Sequence, residues 1–450
     1  MYAIPLEEEA GPGKYIIYRP LVGLAFVGNQ TMARLALHLA GGSTADPGQA
    51  HPEAQAFLQT IGFDQPDPPA PPEQEIPFLP AMAVLLLTNQ CQLRCLYCYA
   101  AAGEQPRQEL PLEIGYAAID QACQNAVALG QPRFEVSLHG GGEPTFAWKV
   151  MQACVEYARQ KGLPAHISLT TNGIWSQAQC QWILNHVDGI SLSLDGGPET
   201  QDCQRPFSTG KGSSLSVLRT VAELDRHSFP YGIRMTTIAP WQSLPDDVDF
   251  ICQETGCQSI QAEPAFNSLR GSHIQPDDEA ALAFAEAYLE AFEIASRAGR
   301  KLHYSGARPG TVTAYFCLAP YHALIVNPDG NLVTCYEITT RALPLAELST
   351  IGAIKDGQME VDLAARARLH ARIAERRGSC RECFCYWSCA GDCFTRTFDP
   401  QPGSHFRHGA RCLINRTITR RLLLKSIAES GGIWRGRRLS AAPAYPQPEG

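Results

Sequence analysis

Through the middle of the chain, short apolar runs ending in polar residues and glycine alternate with longer stretches of helical character. Residues 82–87 form an unbroken apolar run and read as a strand buried on both faces. Further β-rich runs begin near Phe134, Ile167, Ile190 and Tyr231, and those near 134, 167 and 190 run into glycine. Between them, residues 111–129, 148–161 and 213–227 carry helical patterning. This alternation predicts βα units around a parallel sheet, with ligands at the C-terminal strand ends. Residues 277–297, rich in Ala, Glu and Leu and preceded by Pro276, predict a bridging helix, and residues 414–428 another.

The ends of the chain have a different character. Strands at 14–18 and 23–27 and helices at 32–37 and 52–58 predict a small α+β unit over residues 1–63. A proline-rich, semi-rigid linker follows over 64–80. Residues 81–300 then hold the βα units with the bridging helix, residues 301–428 a cysteine-rich domain, and residues 429–450, with Gly431-Gly432 and a basic then proline-rich end, a flexible tail.

Composition narrows the class. At 450 residues and 45% hydrophobic content, the chain is long enough for two domains and an appendage. It contains no apolar run near the roughly 20 residues of a membrane span, and its start lacks the basic and apolar regions of a signal peptide. The expected location is cytoplasmic, without membrane association. A net charge of −8 argues against bulk nucleic-acid binding. The 17 cysteines do not suit a disulfide scaffold, because such scaffolds are small and secreted.

Cysteine spacing carries the chemistry. Cys91, Cys95 and Cys98 form a CxxxCxxC set on the loop leaving the 82–87 strand. Soft thiolates select iron–sulfur clusters or zinc, and three of them leave one corner of a four-iron cluster open. A zinc knuckle or a surface cysteine cluster is the competing reading. Downstream, Ser137-Leu138-His139-Gly140-Gly141-Gly142-Glu143-Pro144-Thr145 is a strand running into glycines that admit close approach to the backbone.

On these motifs the chain resembles the radical SAM superfamily. The resemblance implies a partial (β/α)6 TIM-like barrel of the α/β class, in which S-adenosylmethionine binds the open iron and is cleaved to a 5′-deoxyadenosyl radical. Tyr97 matches the aromatic position before the third cysteine. Gly141, Gly142 and Glu143 take the role of binding the methionine amino group. Thr171 and Asn172, in the Thr-Asn-Gly strand end, and Ser193 and Asp195, in the Ser-Leu-Asp-Gly end, fall around ribose and methionine. Arg234 pairs with the methionine carboxylate through its planar fork or serves a structural salt bridge. Asp202 and Arg205 match a DxxR element that supports the ribose side or braces a loop.

A second set, Cys317, Cys335, Cys380, Cys383, Cys389, Cys393 and Cys412, resembles the SPASM extension of radical SAM maturases. The resemblance implies two auxiliary [4Fe-4S] clusters, three in all. Cys380, Cys383, Cys389 and Cys412 would hold one, and Cys317, Cys335 and Cys393 the other. The fullest family pattern has one more cysteine shortly before Cys317, and residues 310–316 offer none. Cys385 is an extra thiol, and zinc in a four-cysteine site is compatible with the CxxC spacing.

The implied activity is oxidative modification of a ribosomally made peptide, a side-chain cross-link above all. The implied partners are a precursor peptide and a flavodoxin- or ferredoxin-type reductant. The N-terminal unit would hold the peptide by strand addition to a sheet edge or act as an accessory lid. Anaerobic sulfatase maturation to formylglycine is the alternative. Its relatives place Asp directly after the cysteine of GxxxxC, whereas here Tyr336 and Glu337 follow Cys335 and are the acid–base candidates. A non-catalytic iron–sulfur electron-transfer protein is a reading from another class.

Overall fold

The computed structural model describes residues 1–6, 13–40, 52–71, 77–266, 270, 277–341, 343, 345–397, 409–436 and 438–439. Three antiparallel strands, β1 (Tyr2–Pro5), β2 (Lys14–Arg19) and β3 (Leu24–Asn29), open the chain. Helices α1 (Gln30–Leu39) and α2 (Pro52–Thr60) follow. The Asn29 side chain caps α1 by accepting from the Met32 amide at 2.9 Å. Successive side chains of a strand face opposite ways, and both faces of this sheet are covered. Ile17, Leu24 and Phe26 pack with Ala36, Leu58 and Phe63. Ile16, Tyr18 and Ala25 pack with Leu423 and Ile427 of the last long helix, Ala410–Glu429.

Among the described residues, the central sheet has eleven strands. Its barrel portion is β4 (Met82–Leu86), β5 (Phe134–His139), β6 (Ala165–Thr171), β7 (Gly189–Ser193), β8 (Tyr231–Thr237) and β9 (Ser259–Pro264), all parallel and adjacent in chain order. They alternate with α3 (Leu112–Ala128), α4 (Trp148–Arg159), α5 (Gln177–His186), α6 (Pro198–Gln204), α7 (Ser214–Arg226), α8 (Leu244–Glu254) and α9 (Asp278–Arg297). This is the expected run of six βα units. The bridging helix α9 is capped by Asp277, which accepts from the Ala280 amide, while Pro276 lies outside the described residues.

The sheet continues past the barrel on both sides. β10 (Lys301–His303) pairs parallel with β9, and Ala323–Val326 pairs parallel with β4. Asn331–Val333, Thr350–Lys355 and Gln358–Val361 then add antiparallel. The boundary expected at 300/301 therefore falls inside one hydrogen-bonded sheet rather than at a break.

The tail expected to be flexible over 429–450 is corrected as far as residue 439. Gly431 and Gly432, both at positive φ, reverse the chain after the Ala410–Glu429 helix. Ile433–Arg435 then pairs antiparallel with β3, and Arg438–Leu439 pairs parallel with Thr311–Val312. The Arg435 guanidinium donates to the Ile61 carbonyl at 2.7 Å. Residues 440–450 lie outside the described residues. The β3 edge of the N-terminal sheet is thus covered by the chain's own strand, and β1 is the other outer strand. The linker is also tied down: Arg19, buried on β2, bonds the Phe63 carbonyl and the Asp67 carboxylate, while residues 72–76 are outside the described set.

Candidate functional site

The loop after β4 brings Cys91, Cys95 and Cys98 to the C-terminal end of the barrel and is pinned from several sides. Arg94 donates to the carbonyls of Cys91, Leu93 and Gly103 at 2.8–3.0 Å. Arg270 reaches the carbonyls of Cys95 and Ala102 at 2.7 and 2.8 Å. The amides of Arg94 and Leu96 bond the carbonyls of Pro206 and Gln204. Cys91 Sγ accepts from the Leu93 amide at 3.4 Å and from Asn172 Nδ2 at 3.6 Å. Burial pushes the Cys91 thiol up to about 12, with the Glu143 carboxylate adding to it, and burial raises Cys95 against the pull of Arg205. Each of the three thiols lies within electrostatic reach of another. Their ligating form is the thiolate, so metal loading must release protons.

The glycine-rich end of β5 docks directly on this loop. The Gly142 and Glu143 amides donate to the Thr88 and Gln90 carbonyls, both at 2.8 Å. A Cβ on residue 142 would lie 2.1 Å from the Gln90 carbonyl oxygen, so the approach demands glycine. With those N–H groups committed, this stretch can offer an ammonium group only carbonyl oxygens and the Glu143 carboxylate. That carboxylate is buried. It accepts from the Thr145 amide and hydroxyl, the Thr171 hydroxyl at 2.8 Å and the Asn172 amide at 2.8 Å. Burial raises its pKa against these bonds.

Asp195, at the end of β7, is buried and fully engaged. It accepts from the Tyr97 hydroxyl at 2.5 Å and the Thr236 amide at 3.0 Å, and Arg205 lies 3.7 Å away. Arg205 also donates to the Tyr97 hydroxyl. Arg205 therefore braces the cysteine loop, and Asp202 caps the start of α7 by accepting from the Ser214 amide at 2.7 Å. Arg234 on β8 sits opposite Ser193 of β7. Among the described residues no hydrogen bond or ion pair engages its guanidinium, although its charge bears on His139 and Tyr99. A half-buried cation without a partner at this end of the barrel suits a carboxylate ligand.

Sequence reading passed over His139, Tyr99, Arg94 and Arg270. His139 ends β5 beside the glycines. Its Nδ1 lies 3.1 Å from the Gly140 carbonyl, and its ring packs on Tyr336 with centroids 4.9 Å apart. Burial, aided by Arg234, lowers its pKa to about 4. Position offered the only signal for it, immediately before the glycine run. Arg270 lies over 170 residues from the loop it holds, and no local pattern reports such a contact.

From the second cysteine set, the segment Cys335 to Thr339 reaches the same mouth. Tyr99 donates to the Gly140 and Tyr336 carbonyls, and a Cβ on Gly141 would touch the Thr339 side chain. Electrostatic proximity divides these thiols into two groups. Cys380 lies near Cys412 and Cys383, and Cys389 lies near Cys412 and Cys380. Cys317, Cys335 and Cys393 bear on one another. In the first group Arg376 donates to Cys412 Sγ and Asn415 to Cys389 Sγ, both at 3.4 Å. Cys385 is buried, donates to the Asn415 carbonyl and bonds Cys383. That bond, ahead of other causes, lowers Cys383 to about 6. Beside the second group, Glu337 is ion-paired with Arg396.

Among the described residues no three Cys, His, Asp or Glu side chains converge closely enough to clasp a single metal ion. A tetrahedral zinc needs all its sulfurs about 2.3 Å from one point, whereas a four-iron cluster spreads its thiolates over separate irons.

The mouth of this parallel βα barrel carries three soft thiols, an incomplete set of the kind that iron–sulfur clusters select, beside the buried Glu143 carboxylate and the Arg234 guanidinium. Residues 85–250 match the family model of the radical SAM superfamily and form a radical SAM domain. The chain is 35% identical over 153 residues to Fe-coproporphyrin III synthase of Methanosarcina barkeri, across 33% of this chain and 35% of that protein. It is 24% identical over 329 residues to the sporulation killing factor maturation protein SkfB of Bacillus subtilis, across 70% and 72%. The first two curated relatives are matched over only 35% and 56% of their own lengths. The solved structure of histidine-tagged anSMEcpe with bound AdoMet shares the fold, with a TM-score of 0.61 at 15% identity over 77% of this chain and 99% of that one. A radical SAM domain over these residues implies S-adenosylmethionine and one [4Fe-4S] cluster, and the donor set fits both. No helix among the described residues is long and apolar enough to cross a membrane.

Proposed function

We propose that the protein is a radical SAM maturase that modifies a ribosomally made peptide oxidatively, forming a side-chain cross-link. The observation carrying this reading is the closure of a second, cysteine-rich layer on the barrel mouth, through Tyr336 against His139 and Thr339 against Gly141. When bound, the cluster and S-adenosylmethionine supply a hydrogen-abstracting carbon radical. In this reading Cys91, Cys95 and Cys98 hold the cluster, and Glu143 with the Gly141–Gly142 carbonyls accepts the ligand's ammonium group. Arg234 pairs with its carboxylate. Thr171, Asn172 and Ser193 line the nucleoside side, and Tyr97, Asp195 and Arg205 keep the cysteine loop in place. Tyr336 and Thr339 help exclude water from the mouth.

The thiols in the C-terminal region form a SPASM-type layer. Cys380, Cys383, Cys389 and Cys412 hold one auxiliary [4Fe-4S] cluster, and Cys317, Cys335 and Cys393 hold another. Such clusters are suited to accepting the electron that remains on the substrate after hydrogen abstraction. Peptide maturation is also supported by likeness to SkfB, named as a maturation protein, over most of both chains. Formylglycine formation is less supported, since Tyr336 stands where its enzymes place Asp and Glu337 is held in an ion pair with Arg396. If a peptide adds as a strand to the N-terminal sheet, it does so on the β1 edge or displaces Ile433–Arg435 from β3.

The test is the intact mass of a short peptide encoded beside this gene, co-expressed anaerobically with the enzyme or with its Cys95→Ala variant. Loss of one hydrogen pair per site, dependent on Cys95, is expected. An unchanged mass would reject cross-linking of that peptide.

A further inference from the structure

The three thiols Cys317, Cys335 and Cys393 leave a four-iron cluster one ligand short, and residues 310–316 supply no cysteine. We propose that the Glu337 carboxylate is the fourth ligand, giving this auxiliary cluster a three-thiolate, one-carboxylate shell. The inference rests on the cluster assignment above and deepens it.

Geometry places Glu337 beside two of the three thiols. Its own amide donates to Cys335 Sγ at 3.5 Å, which fixes the residue in the turn directly after that cysteine. Its side chain reaches across to Arg396 through Oε1, and Arg396 stands on the short helix Phe394–Thr397 that begins right after Cys393. The carboxylate thus spans from the Cys335 turn to the Cys393 helix. Its charge bears on both thiols as the largest cause after burial. An anion held beside two thiolates is repulsive in an empty site and becomes favourable when cationic iron lies among them. The other acid nearby, Asp392, is already committed: both of its oxygens accept from Arg411, at 3.0 and 3.1 Å, and one also takes the Cys393 amide. Arg396 has the role expected of an outer-shell partner, orienting a ligating carboxylate through a hydrogen bond.

The consequence is chemical. Glu337 would complete the shell of this cluster, leaving no iron open to an external ligand.

The experiment uses the full chain carrying Cys91→Ala, Cys95→Ala and Cys98→Ala, reconstituted anaerobically so that only auxiliary clusters contribute. Iron content and the electron paramagnetic resonance spectrum of the reduced protein are read with and without cyanide as an external ligand. With Glu337 present, the spectrum should not respond to cyanide. Glu337→Ala should alter it and make it respond, or lose about four iron atoms. Glu337→Cys, which cannot keep the Arg396 ion pair, should restore iron and insensitivity to cyanide.

A cyanide response from the Glu337 protein, or an unchanged spectrum and iron content in Glu337→Ala, overturns the proposal. Failure of the underlying assignment shows differently. Substituting Cys317, Cys335 and Cys393 by Ala would then remove no iron, whereas loss of about four iron atoms there with an inert Glu337→Ala sinks the ligand alone.

Discussion

Arg234 is the residue on which the cofactor assignment depends most, because its neighbours carry no group that neutralises it among the described residues. Replacing it by Leu removes the one charge suited to the methionine carboxylate. A charge-assisted pair of this kind is worth about 1.5–3 kcal/mol, so Arg234→Leu should weaken S-adenosylmethionine binding by roughly 10- to 100-fold in a calorimetric titration of the reconstituted protein. Unchanged affinity would return Arg234 to a structural role. Gly142→Ala tests packing instead. Its Cβ would meet the Gln90 carbonyl at 2.1 Å, so the variant should lose iron on the 91–98 loop, read by the absorbance of the reconstituted cluster. His139 gives a pH signature. Its pKa is lowered to about 4 from 6.5, so the unfolded chain binds the proton more readily. The stability from keeping this imidazole neutral is present above pH 6.5 and is lost as pH falls toward 4. Thermal unfolding of the metal-free protein should therefore drop over that window less steeply in His139→Gln than in the native chain. Identical profiles would show that the group does not titrate as described.

At the level of elements, the strands Phe134–His139, Ala165–Thr171 and Gly189–Ser193 were legible because each is a short apolar or β-branched run ending in polar residues and glycine. The run expected at 231–237 matches β8 residue for residue. The helices α3, α4, α7 and α9 agree with expectation to within two residues at either end. Helix α5 escaped notice because its Gln-rich face buries only Cys180 and Ile183, although the Ser176–Gln179 capping box marks its start.

The helix Leu363–Gly378, which sequence reading passed over, is arginine-rich. Its Arg366, Arg376 and Arg377 are buried, and Arg377 lies over Tyr386 and Trp387 with its charge 4.3 and 5.1 Å from the ring centroids. Such burial is set by distant aromatic partners and leaves no periodic trace. The strand Ile433–Arg435 was hidden for the same reason, since a three-residue edge strand gains its stability from β3 and Ile61. Ending the chain after Gly432 should lower the thermal unfolding midpoint by uncovering the β3 edge and the Trp434 contact with Tyr18. An unchanged midpoint would mean that the strand contributes nothing to holding the N-terminal unit.

Across the whole molecule, one continuous sheet joins the barrel to the cysteine-rich region. Ala323–Val326 pairs with β4, whose following loop carries Cys91, Cys95 and Cys98, and the antiparallel strand Asn331–Val333 leads straight to Cys335. This connection explains why Tyr336 and Thr339 arrive at the glycine run of β5. The approach of Cys335 to the mouth that holds Cys98, both within electrostatic reach of Tyr99, follows from that pairing register, which no local pattern encodes. The central claim is that this mouth binds and cleaves S-adenosylmethionine. The direct measurement is chromatographic detection of 5′-deoxyadenosine after anaerobic reconstitution, reduction with dithionite and addition of S-adenosylmethionine, with Cys95→Ala in parallel. The native chain should yield 5′-deoxyadenosine and the variant none. No 5′-deoxyadenosine from a native chain whose cluster is demonstrably reduced would mean that this mouth does not cleave S-adenosylmethionine.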